Sequence, residues 1–107
     1  MEVFEKLANN GIHLNYEEIV KICQKYRLSE LSIFGSSIRD DFKTNSDVDI
    51  LIAYEDVWQN DPFDFLDIQK EFEQLTGRKV DIVFRDGLRN PIRKKNILNS
   101  REILYAN

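Results

Sequence analysis

Residues 35–49 read GSSIRDDFKTNSDVD, and the rest of the chain is arranged around them. Before this stretch stands ELSIF (30–34), which reads as a strand that ends at Gly35. Its last three residues open DVDILIAY (47–54), the most β-prone run in the chain. Side chains alternate along a strand, so Asp47 and Asp49 are expected on one face. Val48, Ile50 and Ile52 then take the other face, where a helix can cover them. Two carboxylates a pleat apart repel each other when both ionise, and a divalent cation relieves that repulsion. Gly35 and Ser36 fall where the first strand gives way to a predicted short helical turn over 36–42. Glycine lets backbone approach a phosphate closely, and the N–H groups at a helix start favour an anion. The Ser36 and Ser37 hydroxyls are candidate further donors. Arg39, one turn on, carries a planar fork suited to phosphate.

The flanking sequence supplies the remaining elements. Residues 2–9 predict a short leading helix stopped near Gly11. A firmer helix is expected over 16–27, with Asn15 and Glu18 as a capping-box-like pair and Tyr16, Ile19, Val20, Cys23 and Tyr26 on one face. Lys43–Ser46 is a polar turn and 55–61 a loop. Asp61-Pro62 predicts an N-cap and first helical position for a helix over 62–76, with Phe65, Ile68, Phe72 and Leu75 as its stripe and Gly77 as its stop. KVDIVF (79–84) is another strand, its apolar face made by Val80, Ile82 and Phe84 and its other face by Asp81. Asn90-Pro91 opens a last helix to about 98, and 103–105 is a terminal extended piece. Strands alternating with helices give an α/β domain with a small central sheet. If the strand at 79–84 lies beside that at 47–54, three carboxylates converge. Such oxygen-rich sites suit magnesium, and two ions roughly 3.5–4 Å apart can clamp the attacking and leaving oxygens of an in-line displacement.

Composition narrows the alternatives. The chain has 107 residues, which suits a single domain spanning 1–107. A net charge of −4 speaks against a generic nucleic-acid binder, whose footprint is basic. A single cysteine, Cys23, allows no internal disulfide, and its place in an apolar stripe predicts a core residue. His13 is the only histidine, so no histidine-based triad is expected. No apolar run reads as a signal peptide or a membrane span, so a cytoplasmic location is expected.

Gly35-Ser36, ten residues, then Asp47-x-Asp49 resembles the GSx10DxD signature of the DNA polymerase β-like nucleotidyltransferase superfamily. Within it the chain looks like a minimal nucleotidyltransferase (MNT) domain, with GSSIR, SDVDILI and the late NPIRKKNIL…REILY carrying the likeness. Its closest resemblance is to the MNT antitoxins of HEPN/MNT toxin–antitoxin modules. The resemblance implies a small mixed β-sheet flanked by helices. It also implies that Asp47 and Asp49 bind catalytic magnesium, that Asp81 helps hold it and accepts the proton of the incoming hydroxyl, and that Gly35, Ser36 and Arg39 hold ATP. AMP would pass to a tyrosine hydroxyl of a partner HEPN ribonuclease toxin as pyrophosphate leaves. Family members often carry glycine soon after the arginine, where this chain has Asp40-Asp41.

Two readings compete with this one: an antitoxin that neutralises by binding alone, with vestigial acids, and a transferase for a small-molecule hydroxyl. The second lacks a further domain to build its pocket. Two features stand apart from the motif. Residues 85–101 hold Arg85, Arg89, Arg93, Lys94, Lys95 and Arg101 against Asp86 alone, which suits a surface facing phosphate, facing a partner, or simply solvated. Tyr54, Trp58 and Phe63 flank the loop after the acidic strand and suit either core edge or a partner contact.

Overall fold

The computed structural model describes residues 2–39, 42–43, 46–56 and 63–107. The order of elements is α1 (Glu2–Asn9), α2 (Tyr16–Lys25), β1 (Leu28–Phe34), a 3-10 turn (Gly35–Ile38), β2 (Val48–Tyr54), α3 (Asp64–Thr76), β3 (Val80–Phe84), a second 3-10 turn (Arg85–Gly87), α4 (Pro91–Ser100) and β4 (Glu102–Ala106). The sheet is mixed, in the order β3-β2-β1-β4. β1 lies antiparallel to both β2 and β4, while β2 and β3 run parallel. A parallel pair needs a crossover, and α3 supplies it.

Local chemistry explains most element ends. The Asn15 side chain accepts from the N–H of Glu17 (2.8 Å) and of Glu18, which starts α2 as expected. That helix stops at Lys25 rather than 27, because Arg27 takes a left-handed φ of 56°. Gly77, at φ 66°, ends α3 where the sequence places its stop. Asn90 accepts from the N–H of Ile92 (3.0 Å) and Arg93 (3.1 Å), and Pro91 follows as first helical residue. This last helix runs to Ser100, one half-turn beyond the expected end. The Asp61-Pro62 cap, Trp58, Asp40-Asp41 and part of the 43–46 turn lie outside the described residues.

The core fills one face of the sheet. Leu31, Ile33, Val48, Ile50, Ile52 and Val80 are buried there against Leu7, Ile19, Ile22, Cys23, Ile68 and Phe72 from α1, α2 and α3. Fully burying side chains of this kind contributes about 1.5–3 kcal/mol each. Cys23 is wholly buried, as its stripe implies, and burial pushes its thiol pKa up to about 12. The expected α2 stripe needs one correction. Tyr16 is 49% exposed and sits edge-on to Phe4, while Ile22 takes the core position. Tyr16 falls in the first turn, beyond the edge of the sheet-facing surface.

The opposite face of the sheet is covered only in part. Glu30, Ser32, Leu51 and Ala53 are buried on it, as is Ile97 of α4. The end of α4 is fastened here by an ion pair from Arg101 to Glu30. At the acidic end of β2 and β3, Asp81 is exposed and Asp49 half-buried.

Candidate active site

Asp49 stands in register between Phe34 of β1 and Asp81 of β3. Parallel partners in register share a face, so the two carboxylates lie on adjacent strands, about 4.8 Å apart at the backbone. Asp47 lies just before β2, whose first residue, Val48, donates to the Lys79 carbonyl at 2.9 Å. That bond fastens the start of β2 to the segment leading into β3. Alternation sorts the strand residues as expected: Val48, Ile50 and Val80 are fully buried, Asp49 is half-buried and Asp81 is exposed, while Asp47, ahead of the strand, is half-buried.

The electrostatics show that Asp49 feels the other two acids. The Asp49 pKa is raised, first by burial and then by the negative charges of Asp81 and Asp47. The positive charges of Arg39 and Arg93 oppose the rise. Asp49 thus feels charges carried by the start of β2, by β3, by the loop after β1 and by α4. Among the described residues, no three carboxylate, imidazole or thiol groups are already gathered to hold a metal ion by themselves. Asp49 and Asp81, hard oxygen donors on neighbouring strands, fit magnesium, which binds through one or two carboxylates and takes water and phosphate for the rest.

The loop that follows β1 closes the other side. Gly35 turns the chain at φ 75°, and a Cβ there would run into the Asp49 carboxylate, 3.3 Å from its Cγ. Ser36 is half-buried beside it, and its carbonyl accepts from the Arg39 N–H at 3.0 Å. Ser37 takes a different place from the one expected for a ligand donor. It is fully buried, and its hydroxyl donates to the Phe34 carbonyl at 3.1 Å, inside the turn. Arg39 is exposed at the loop's end.

Two supports of this site carry no signal in the motif. Asn10, at the end of α1, donates to the carbonyls of Ser37 (2.9 Å) and Arg39 (3.1 Å), and so fixes the loop from outside. Beside it a cavity of about 400 Å³ is lined by Lys6, Asn9, Asn10, Ile38 and Arg39. The second support is Glu30, buried in the sheet. It accepts from Arg101 Nε (2.7 Å), Arg85 Nη1 (3.1 Å) and the Ser32 hydroxyl (2.7 Å). Burial pushes its pKa up, but the bonds from Ser32 and Arg101 and the charges of Arg101 and Arg85 outweigh that and hold it below the ordinary value. Only the unbalanced basic run of 85–101 hints at such a partner.

Comparison with known proteins bears on the family and the fold. The family described as "Polymerase beta, Nucleotidyltransferase" matches residues 17–107. The chain is 32% identical over 83 residues to "Protein adenylyltransferase MntA" of Thermococcus cleftensis, covering 78% of this chain and 79% of that one. It superimposes on a candidate minimal nucleotidyltransferase with a TM-score of 0.69 at 28% identity, over 81% of this chain and 86% of the other. A chain of a Shewanella oneidensis complex, a tri-AMPylated HEPN toxin with an MNT antitoxin, shares the fold at a TM-score of 0.61 and 16% identity, over 94% and 73% of the two chains.

Proposed function

Because this chain belongs to the polymerase beta nucleotidyltransferase family, we propose that it is an antitoxin that transfers AMP from ATP to a tyrosine hydroxyl of a partner HEPN ribonuclease toxin. The observation that carries this reading is the in-register pairing of Asp49 with Asp81, with Gly35 turned against the Asp49 carboxylate. The adenylyltransferase name of the Thermococcus relative supports the transfer of AMP. The Shewanella complex, in which an MNT antitoxin accompanies an AMPylated HEPN toxin, supports the partner.

The chain's own residues have separable tasks in the reaction. Asp47, Asp49 and Asp81 would hold magnesium, which when bound neutralises triphosphate oxygens and stabilises the charge that builds up during transfer. Gly35 and Ser36 present backbone N–H groups to the phosphates, and Arg39 offers its fork to them. The acceptor oxygen attacks the α-phosphorus, the bond from that phosphorus to the bridging oxygen breaks, and pyrophosphate departs. Asp81, the exposed acid of the three, would take the acceptor's proton. No helix among the described residues is long and apolar enough to cross a membrane.

The test is direct. The purified chain is mixed with magnesium, ATP labelled at the α-phosphate and a HEPN toxin from the same organism. Label is expected on a toxin tyrosine, and none with Asp49→Asn. An unlabelled toxin under wild-type conditions overturns the transferase reading. Equal labelling by wild type and Asp49→Asn overturns the site.

A further inference from the structure

We propose that Asn10, just past the end of α1, is a positioning residue for the nucleotide: it sets the loop of 35–39 so that Arg39 meets the phosphates of the bound triphosphate. This deepens the reading above and rests on it.

The loop is gripped at two places. At its start, Gly35 is packed against the Asp49 carboxylate. At its end, the Asn10 side-chain amide donates to the carbonyls of Ser37 at 2.9 Å and Arg39 at 3.1 Å. Both partners are carbonyl oxygens, so both protons of one NH2 group are engaged, and a carboxylate of the same shape has none to give. Inside the loop, the Arg39 N–H donates to the Ser36 carbonyl and the Ser37 hydroxyl to the Phe34 carbonyl. Those bonds shape the turn, while the Asn10 bonds tie it to a separate element.

Asn10 is itself firmly held. Its N–H donates to the carbonyls of Lys6 (3.2 Å) and Leu7 (3.0 Å), and Leu7 is fully buried in the core. Its carbonyl accepts from Arg78 Nη2 at 3.3 Å. Gly11, at φ 80°, leaves room for that guanidinium, since a Cβ there would stand 3.0 Å from the same nitrogen. Arg78 also lies over the Phe42 ring, 4.8 Å from its centroid. The next residue, Lys79, accepts from the Val48 N–H. One connected set of contacts thus runs from α1 to the loop, and to the segment that leads into β3 and Asp81.

Arg39 depends on this brace most directly. It is exposed at the end of the loop, and its own carbonyl is one of the two that Asn10 holds. The backbone from which its planar fork springs is therefore fixed before any ligand arrives. A cation on a settled backbone loses less freedom on gripping phosphate, which favours binding. The family match begins at residue 17, so Asn10 is no part of it.

The experiment is calorimetric titration of the full chain with AMP-PNP in the presence of magnesium. Wild type is compared with Asn10→Ala, Asn10→Asp, Asn10→Gln and Asn9→Ala, each checked for folding by thermal melt. Losing the two bonds that hold the loop predicts about tenfold weaker binding for Asn10→Ala. Asn10→Asp keeps the shape without the donors and should bind no better than Asn10→Ala. Asn10→Gln keeps the donors on a longer stem and should recover part of the loss. Asn9→Ala, at the exposed neighbour, should stay within about twofold of wild type. In AMP transfer to the HEPN toxin, KM for ATP should rise about as much as affinity falls, with kcat little changed, because Asn10 holds the end of the loop away from Asp49. Should the alanine form fail to fold, Asn10→Asp and Asn10→Gln carry the comparison. Wild-type affinity in Asn10→Ala or Asn10→Asp, with Asp49→Asn still impaired, overturns the role of Asn10 and leaves the transferase reading intact. A fall in kcat with KM unchanged does the same. A wild-type chain that binds no AMP-PNP overturns both.

Discussion

A methyl group on Gly35 would run into the carboxylate of Asp49. The loop that is to hold phosphate and the acid that is to hold metal are thus packed directly on each other. Each fixes where the other can sit, and Gly35 at φ 75° is in a conformation other residues adopt at a cost of roughly 1–2 kcal/mol.

Gly35→Ala is therefore expected to lower the rate of AMP transfer by about 100-fold, as small displacements of positioned groups do. Denaturant melts should show a loss larger than the backbone cost alone. Placed on Asp49→Ala, the same change should fall back to that cost, because the clash has gone. Strict additivity in this double-mutant cycle would mean that the two residues do not touch.

Asp49→Asn should remove activity yet stabilise the metal-free chain. The folded-state pKa of Asp49 is raised, so its carboxylate costs stability as pH rises from its ordinary value of 3.8 through the raised one, and the cost persists at neutral pH. Relief of such site strain commonly adds about 0.5–2 kcal/mol. Thermal melts at pH 7 should show the variant as the more stable protein, and the gap should close in strong acid. A variant less stable at pH 7 would contradict the repulsion inferred among the acids.

Glu30→Gln leaves Arg85 and Arg101 without their buried counter-charge. Removing one partner of a buried pair costs about 3–5 kcal/mol, and less here, about 2–4, because Arg85 is a third exposed and can turn to water. The Glu30 pKa is lowered on folding, so its stabilisation is present above the ordinary value of 4.5 and is lost as pH falls through the lowered one. Acid melts of wild type should lose stability in that window, and those of Glu30→Gln should lose less.

Asn90→Ala removes the cap of α4 and should cost about 1 kcal/mol in thermal melts. That cap accepts from the backbone N–H groups of Ile92 and Arg93 alone, so the loss should be local to α4 while the sheet and core remain as they were.

Phe72→Ala empties a fully buried site between α3 and the sheet, and should cost about 3–5 kcal/mol. Once the remaining folded fraction is allowed for, the transfer rate per folded molecule should be near wild type. A selective loss of activity would place Phe72 closer to the chemistry than its burial in the core implies.

Sequence by itself determined the elements and the facing of the motif. Caps at Asn15 and Asn90, the stop at Gly77, and the alternation of Asp49 with Val48 and Ile50 are local signals, settled by residues within a turn or a pleat of one another. Tertiary structure decided what stands beside what. The order β3-β2-β1-β4 sets Asp81 level with Asp49, and it brings Glu30 to Arg85 and Arg101, 55 and 71 residues away. It also sends Ser37 inward. Periodicity carries no record of such pairings, because they arise from the packing of whole elements, and a buried ion pair or a loop lock such as Asn10 leaves no spacing to read.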